Sequence, residues 1–119
     1  MIIAIHQPNF LPYVGFFHKL SLVDTFVLLD KTQFEFDITN RNKILKSNGK
    51  WTRISVPVKK HQKFISINKV EIDNEKNWKD ENLNLLISCY ENSKYFYMYK
   101  KFFEDVFEKD WKYLLDINL

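Results

Sequence analysis

Ile2-Ile3-Ala4-Ile5-His6-Gln7-Pro8-Asn9-Phe10-Leu11-Pro12-Tyr13-Val14-Gly15-Phe16-Phe17-His18-Lys19-Leu20 decides how the rest of the chain is read. A β-branched apolar run stops at polar residues and two prolines, then yields to apolar spacing of helical period, so the stretch predicts a strand, a stiff loop and a helix. Pro8 and Pro12 fix φ and hold their preceding residues extended. Pro12 can open the helix, with Tyr13, Phe16, Phe17 and Leu20 as its stripe. Residues 2–6 lack alternation, which predicts a central strand covered on both faces. Asp24 and Thr25 close the helix, and Phe26-Val27-Leu28-Leu29 forms a second apolar run ending in Asp30. Strand, helix and strand within about 30 residues make a βαβ unit with parallel strands. At the carboxyl ends of such strands side chains and free amides converge, so His6, Gln7 and Asn9 are placed at a site edge with Asp30.

Further along, residues 31–50 read as a polar loop carrying Gln33, Asn40, Arg41, Asn42 and Lys43, with Gly49 in a turn. A loop of that length in a small domain is usually functional or mobile. Residues 51–58 alternate as an edge strand, 59–63 turn, and 65–72 supply a second short strand, completing an edge hairpin. From about Lys76 the period becomes helical. Leu83, Leu86, Ile87 and Tyr90 form one stripe, and Phe96, Tyr99, Phe103, Val106 and Phe107 another, with a break near Asn92-Ser93. Trp111 to Leu119 is a last helical turn or the start of another element. The expected architecture is a single α/β domain over residues 1–119, with a Rossmann-like, mostly parallel sheet, an edge hairpin and C-terminal amphipathic helices.

Four ordered blocks carry a resemblance: residues 4–19, Asp24 to Asp30 with Gln33-Phe34, Asn40-Arg41-Asn42-Lys43-Ile44, and Ser55-Val56-Pro57-Val58. Together the chain resembles the first half of the WbqC-like family. The resemblance implies a bacterial protein associated with O-antigen and other surface-polysaccharide synthesis, in a family whose members continue through a second half of comparable length.

Composition narrows the classes. The chain has 119 residues, 45% hydrophobic and 17% aromatic, with two glycines and three prolines, a composition that buries itself rather than staying disordered. Eleven Phe, six Tyr and three Trp either fill a core or leave an apolar face for a partner. A net charge of +3, with acids and bases interspersed, calls for no nucleic acid. The basic stretch Lys43, Lys46, Lys50, Arg53, Lys59 and Lys60 reads as solvated surface. The lone Cys89 reads as core in a reducing compartment. With no apolar run near ~20 residues, the expectation is a cytoplasmic protein without a membrane span.

His6 is the first candidate for acid–base chemistry, because imidazole titrates near neutrality. The alternative is a histidine that bonds the loop backbone and fixes its shape. His18 and His61 read as packed and solvent-exposed, respectively. A nucleotidylyltransferase phosphate site has the same order of strand, proline loop, Gly and helix, but needs a histidine after the Gly, and Phe16 follows Gly15. Asp30 is a candidate to hold the His6 tautomer or a hydroxyl. Asn40, Arg41 and Lys43, with Gln7, Asn9 and Gln33, are candidates for binding an anionic small molecule such as a nucleotide sugar or acyl donor. No metal-ligand spacing occurs, and the sequence points to no particular cofactor. Two functions follow: a transferase acting on a nucleotide-linked or acylated sugar precursor, or a non-catalytic binding module or half-domain needing a complementary chain. The first predicts a closed monomer or a site completed by a homo-oligomer, the second an obligate dimer or exposed apolar surface.

Overall fold

The computed structural model describes residues 1–119, a mixed α/β fold with a small parallel sheet, an antiparallel hairpin and C-terminal helices. β1 (Ile3–His6) pairs in parallel with β2 (Thr25–Leu28), joined by α1 (Val14–Ser21). The register Ala4↔Phe26 and His6↔Leu28 puts these side chains on one face. Phe16 of α1 packs there, edge-on to His6 at 5.2 Å and to Phe26 at 5.3 Å.

The other face is bare. Ile3 and Ile5 are 52% and 54% exposed, and Val27 lies beside them. β1 is therefore covered on one face only, against the expectation of two, because the parallel sheet has two strands and no element packs on its far side. Its continuous β-branched run correctly marks a parallel strand, while nothing among residues 1–119 covers its second face. α1 buries no residue, and Val14 is 83% exposed.

β3 (Arg41–Leu45) and β4 (Trp51–Ser55) form the antiparallel hairpin. Gly49 turns it at φ 83°, a left-handed conformation that glycine adopts without Cβ strain. This corrects the sequence reading in two places. Residues 41–45 are a strand rather than loop, since Asn42 and Ile44 face inward while Lys43 and Leu45 face out; the inward asparagine hid the alternation. Residues 65–72 form a 3-10 turn (Ile67–Lys69) with single bridges Gln33↔Ser66 and Val58↔Ile72 instead of a strand.

α2 (Trp78–Tyr90), α3 (Phe96–Glu108) and the short α4 (Leu114–Asn118) complete the chain, with the α2–α3 break at the expected place. Trp78, Asn82 and Leu86 of α2 are buried at four-residue spacing, and Asn82 donates to the Ser55 carbonyl at 2.8 Å, pinning α2 to β4. On the outer side of α3, the hydrogen bond and charge of Asp105 hold the Lys101 ammonium above its usual pKa.

The main core gathers Phe10, Phe34, Ile54, Val56, Ile67, Val70, Ile72, Trp78, Leu86, Phe107 and Leu114. Of these only Phe10 comes from the first 33 residues. Cys89 is half-buried and outside this cluster, near the end of α2 beyond the last fully buried residue of that helix, Leu86. The open βαβ unit shows in the whole molecule. The accessible surface is 8233 Å², against roughly 6,900 Å² for a folded monomer of this mass. The radius of gyration is 15.1 Å, against about 13.5 Å for a compact chain of this length.

Candidate functional site

Proline geometry and one asparagine hold the loop after β1. The Asn42 side-chain amide donates to the carbonyls of Leu11 (2.9 Å) and Phe10 (3.3 Å), and its oxygen accepts the Lys43 amide at 2.8 Å. Every hydrogen-bonding group of that side chain is thus committed. It clamps the loop to β3 and holds Leu11 at φ 45°, a strained conformation for a branched residue. The sequence reading places Asn42 within the 40–43 segment as part of an anion site; the structure gives its amide to the loop carbonyls instead. The Asn42/Ile44 alternation was the signal that would have placed it inward.

His6 is half-buried at the carboxyl end of β1, and its Nδ1 lies 2.7 Å from the Gln7 carbonyl oxygen. A carbonyl only accepts, so Nδ1 carries a proton, and in the neutral ring it is Nε2 that holds the lone pair able to act as a base. The tautomer role expected of Asp30 is therefore filled by the Gln7 backbone. Asp30 follows β2 at the same sheet edge, as expected. Its carbonyl accepts the Asn68 amide at 2.7 Å. The Gln7 side chain donates to the Thr32 hydroxyl at 3.2 Å, tying the loop to the segment after β2. Gln33, next to Thr32, is exposed and its backbone bridges to Ser66.

Asn9 and Asn40 lie deeper than a surface site requires. Asn40 donates to the Val56 carbonyl at 3.1 Å, while the side-chain oxygens of Asn9 and Asn40 and the Thr39 hydroxyl are buried without partners. Backbone bonding ties these segments together, with the Phe10 amide donating to the Ile38 carbonyl. Buried orphan acceptors of this kind are suited to ordered water or donor groups of a ligand.

The outward face of the hairpin is cationic. Lys43 and Arg53 stand directly opposite one another in the register, with Arg41 two residues along β3. The Arg41 guanidinium donates to the Phe36 carbonyl, and Lys43 Nζ lies 4.2 Å from the centre of the Trp51 ring. No salt bridge involves any of the three cations. Like charges directly opposite across a strand pair are destabilising, and an anion held between them reverses that sign. Arg53 belonged to a stretch read as solvated surface; its position opposite Lys43 appears only with the register.

No group of three or more His, Cys, Asp or Glu side chains gathers in a metal-binding arrangement. No helix is long and apolar enough to cross a membrane.

Comparison with known proteins gives two matches. The pattern of the WbqC-like protein family matches residues 7–119. The uncharacterised protein Rv1507c of Mycobacterium tuberculosis is 39% identical over 66 residues, covering 52% of this chain. The matched stretch is 29% of that relative's length. No solved structure matches.

Proposed function

Because this chain belongs to the WbqC-like family, we propose that it acts in surface-polysaccharide biosynthesis in the cytoplasm, as a transferase working on a nucleotide-linked or acylated sugar precursor. The observation that carries this reading is the facing pair Lys43 and Arg53, which has no carboxylate partner and suits a phosphate or carboxylate. Arg41 supplies a third cation on the same strand face. His6 acts through Nε2 as acid or base, its tautomer held by the Gln7 carbonyl. Gln7, Asn9, Gln33 and Asn40 contribute polar contacts to the bound precursor, and Asp30 accepts from one of its hydroxyls. Residues 1–119 serve as one α/β unit whose βαβ start is the opening of a Rossmann-like sheet.

A thermal-shift screen against nucleotide sugars, nucleotides, coenzyme A esters and aminoacyl donors tests the reading. A true ligand at ~100 times its dissociation constant should add about 2.7 kcal/mol to folding stability. Arg41→Ala and Arg53→Ala should abolish the shift. His6→Ala should leave binding largely in place while removing turnover. A shift untouched by both arginine substitutions would remove the anion-site assignment.

The bare βαβ face favours a second reading, a half-domain completed by another chain. The accessible surface exceeds the monomer expectation by about 1,300 Å², well above the ~800 Å² per partner of a standard interface. On this reading light scattering finds a self-associated protein that binds an apolar dye, and Ile5→Lys with Phe17→Glu reduces both signals. A monodisperse monomer that binds no dye would exclude it.

A further inference from the structure

A groove of about 490 Å³ opens between the proline loop, β3 and the α2–α3 pair, a volume in the range of small-molecule sites. Leu11 and Pro12 line it from the loop, Ile44 from β3, and Tyr90, Phe96 and Phe103 from the helices. Tyr99 and Phe102 of α3 also line it and are 56% and 60% exposed.

Most of its lining is hydrocarbon, and two of its polar side chains are engaged within the fold, leaving the Tyr13 and Tyr99 hydroxyls and Lys43 as its free polar groups. Asn42 is fully committed to the loop clamp and to the Lys43 amide. The Tyr90 hydroxyl accepts the Leu45 amide at 3.2 Å. A nucleobase presents a row of donors and acceptors along its edge, and leaving them unmatched in an apolar groove is costly. A hydrocarbon chain has no such requirement and gains from every methylene removed from water. Lys43 belongs both to this lining and to the cationic strand face, so an anion there lies at the boundary of apolar and charged surfaces.

We propose that the groove takes the acyl chain of an acylated anionic ligand, its carboxylate or phosphate resting against Lys43. The inference rests on the anion-site reading above and selects the acylated precursor over the nucleotide-linked one. The strained Leu11 wall is held by the Asn42 clamp before any ligand arrives, so little ordering is left to be done on binding.

Isothermal titration with straight-chain carboxylates from butanoate to decanoate, below their micelle concentrations, tests it. Affinity should rise about fourfold per added methylene until the groove is filled. In the double variant Tyr99→Ala/Phe102→Ala, at positions exposed enough to leave the fold intact, that dependence should flatten. Lys43→Ala should retain the length dependence and lower carboxylate affinity to that of the matching alcohol. Affinity independent of chain length overturns the proposal, as does a slope that persists in Tyr99→Ala/Phe102→Ala and disappears in Ile5→Lys, which would put the chain on the open sheet face. A clear slope with no response to any sugar precursor would keep the groove and remove the transferase reading. A precursor response lost in Arg41→Ala without a slope would do the reverse.

Discussion

Phe34→Ala is expected to lower folding stability by about 3–5 kcal/mol, the largest effect of any single substitution considered. Phe34 is 0% exposed and sits in the segment that joins the βαβ unit to the hairpin. Its backbone is fixed on both sides, with its amide donating to the Ile65 carbonyl at 2.7 Å and its carbonyl accepting the Phe64 amide at 2.8 Å. Phe64 itself has φ 69°, so the tie restrains a strained residue and the segment has little freedom to collapse into the space left by the ring. Only 17 of 119 residues are buried, and a domain of this kind has a total stability of about 5–15 kcal/mol. The variant should therefore unfold at much lower urea, with an unchanged slope. A loss below about 1 kcal/mol would mean that the core repacks around the gap despite the backbone ties on either side of Phe34.

Asn42→Ala is the second. It leaves the Phe10 and Leu11 carbonyls without their donor, and a buried group left unpaired costs about 1–3 kcal/mol, so two of them at partial burial suggest roughly 2–4 kcal/mol. Asn42→Asp keeps the shape but removes the donors, and should cost at least as much because a carboxylate then faces two carbonyl oxygens. Hydrogen exchange distinguishes a local from a global effect: the Phe10 amide, which donates to the Ile38 carbonyl, should lose protection before the hairpin amides do. Wild-type stability in both variants would show that water replaces the clamp at no cost.

Several features were legible in the sequence for reasons of period. The switch from a β-branched run to helical spacing across Pro8 and Pro12 gave the βαβ unit, and Gly49 reads as a turn, though within a loop rather than between two paired strands. Asn92-Ser93 separated the last two long helices. β3 was hidden because the residues it turns inward are Asn42 and Ile44, and an asparagine whose partners are loop carbonyls looks like solvent. The strand over 65–72 was expected from its apolar content, yet Ile67, Val70 and Ile72 enter the core from a 3-10 turn and isolated bridges, where burial comes without a ladder. His6 and Arg41 could be singled out by residue type and place. The pairing of Lys43 with Arg53 could not, since it depends on a register fixed by a turn. The aromatic stripes from 83 to 107 read as core or partner surface; α3 turns Tyr99 to a groove together with Phe102, which lies outside the expected stripe, and no periodicity distinguishes such a wall from a packed face.

The Lys19 ammonium reaches from α1 to the Ile5 carbonyl at 3.1 Å. The carbonyls of Ile2 and His6 bond toward β2 and the residues flanking it, so by strand alternation the Ile5 carbonyl points to the outer edge of the sheet. Open edges rich in isoleucine are templates for adding foreign strands, and a lysine placed on one is a common deterrent. Here one flexible side chain guards an edge that has no proline or bulge within it. The chain thus carries its own gatekeeper against fibrillar stacking, and any strand that paired with this edge would first have to displace that one ammonium from the Ile5 carbonyl.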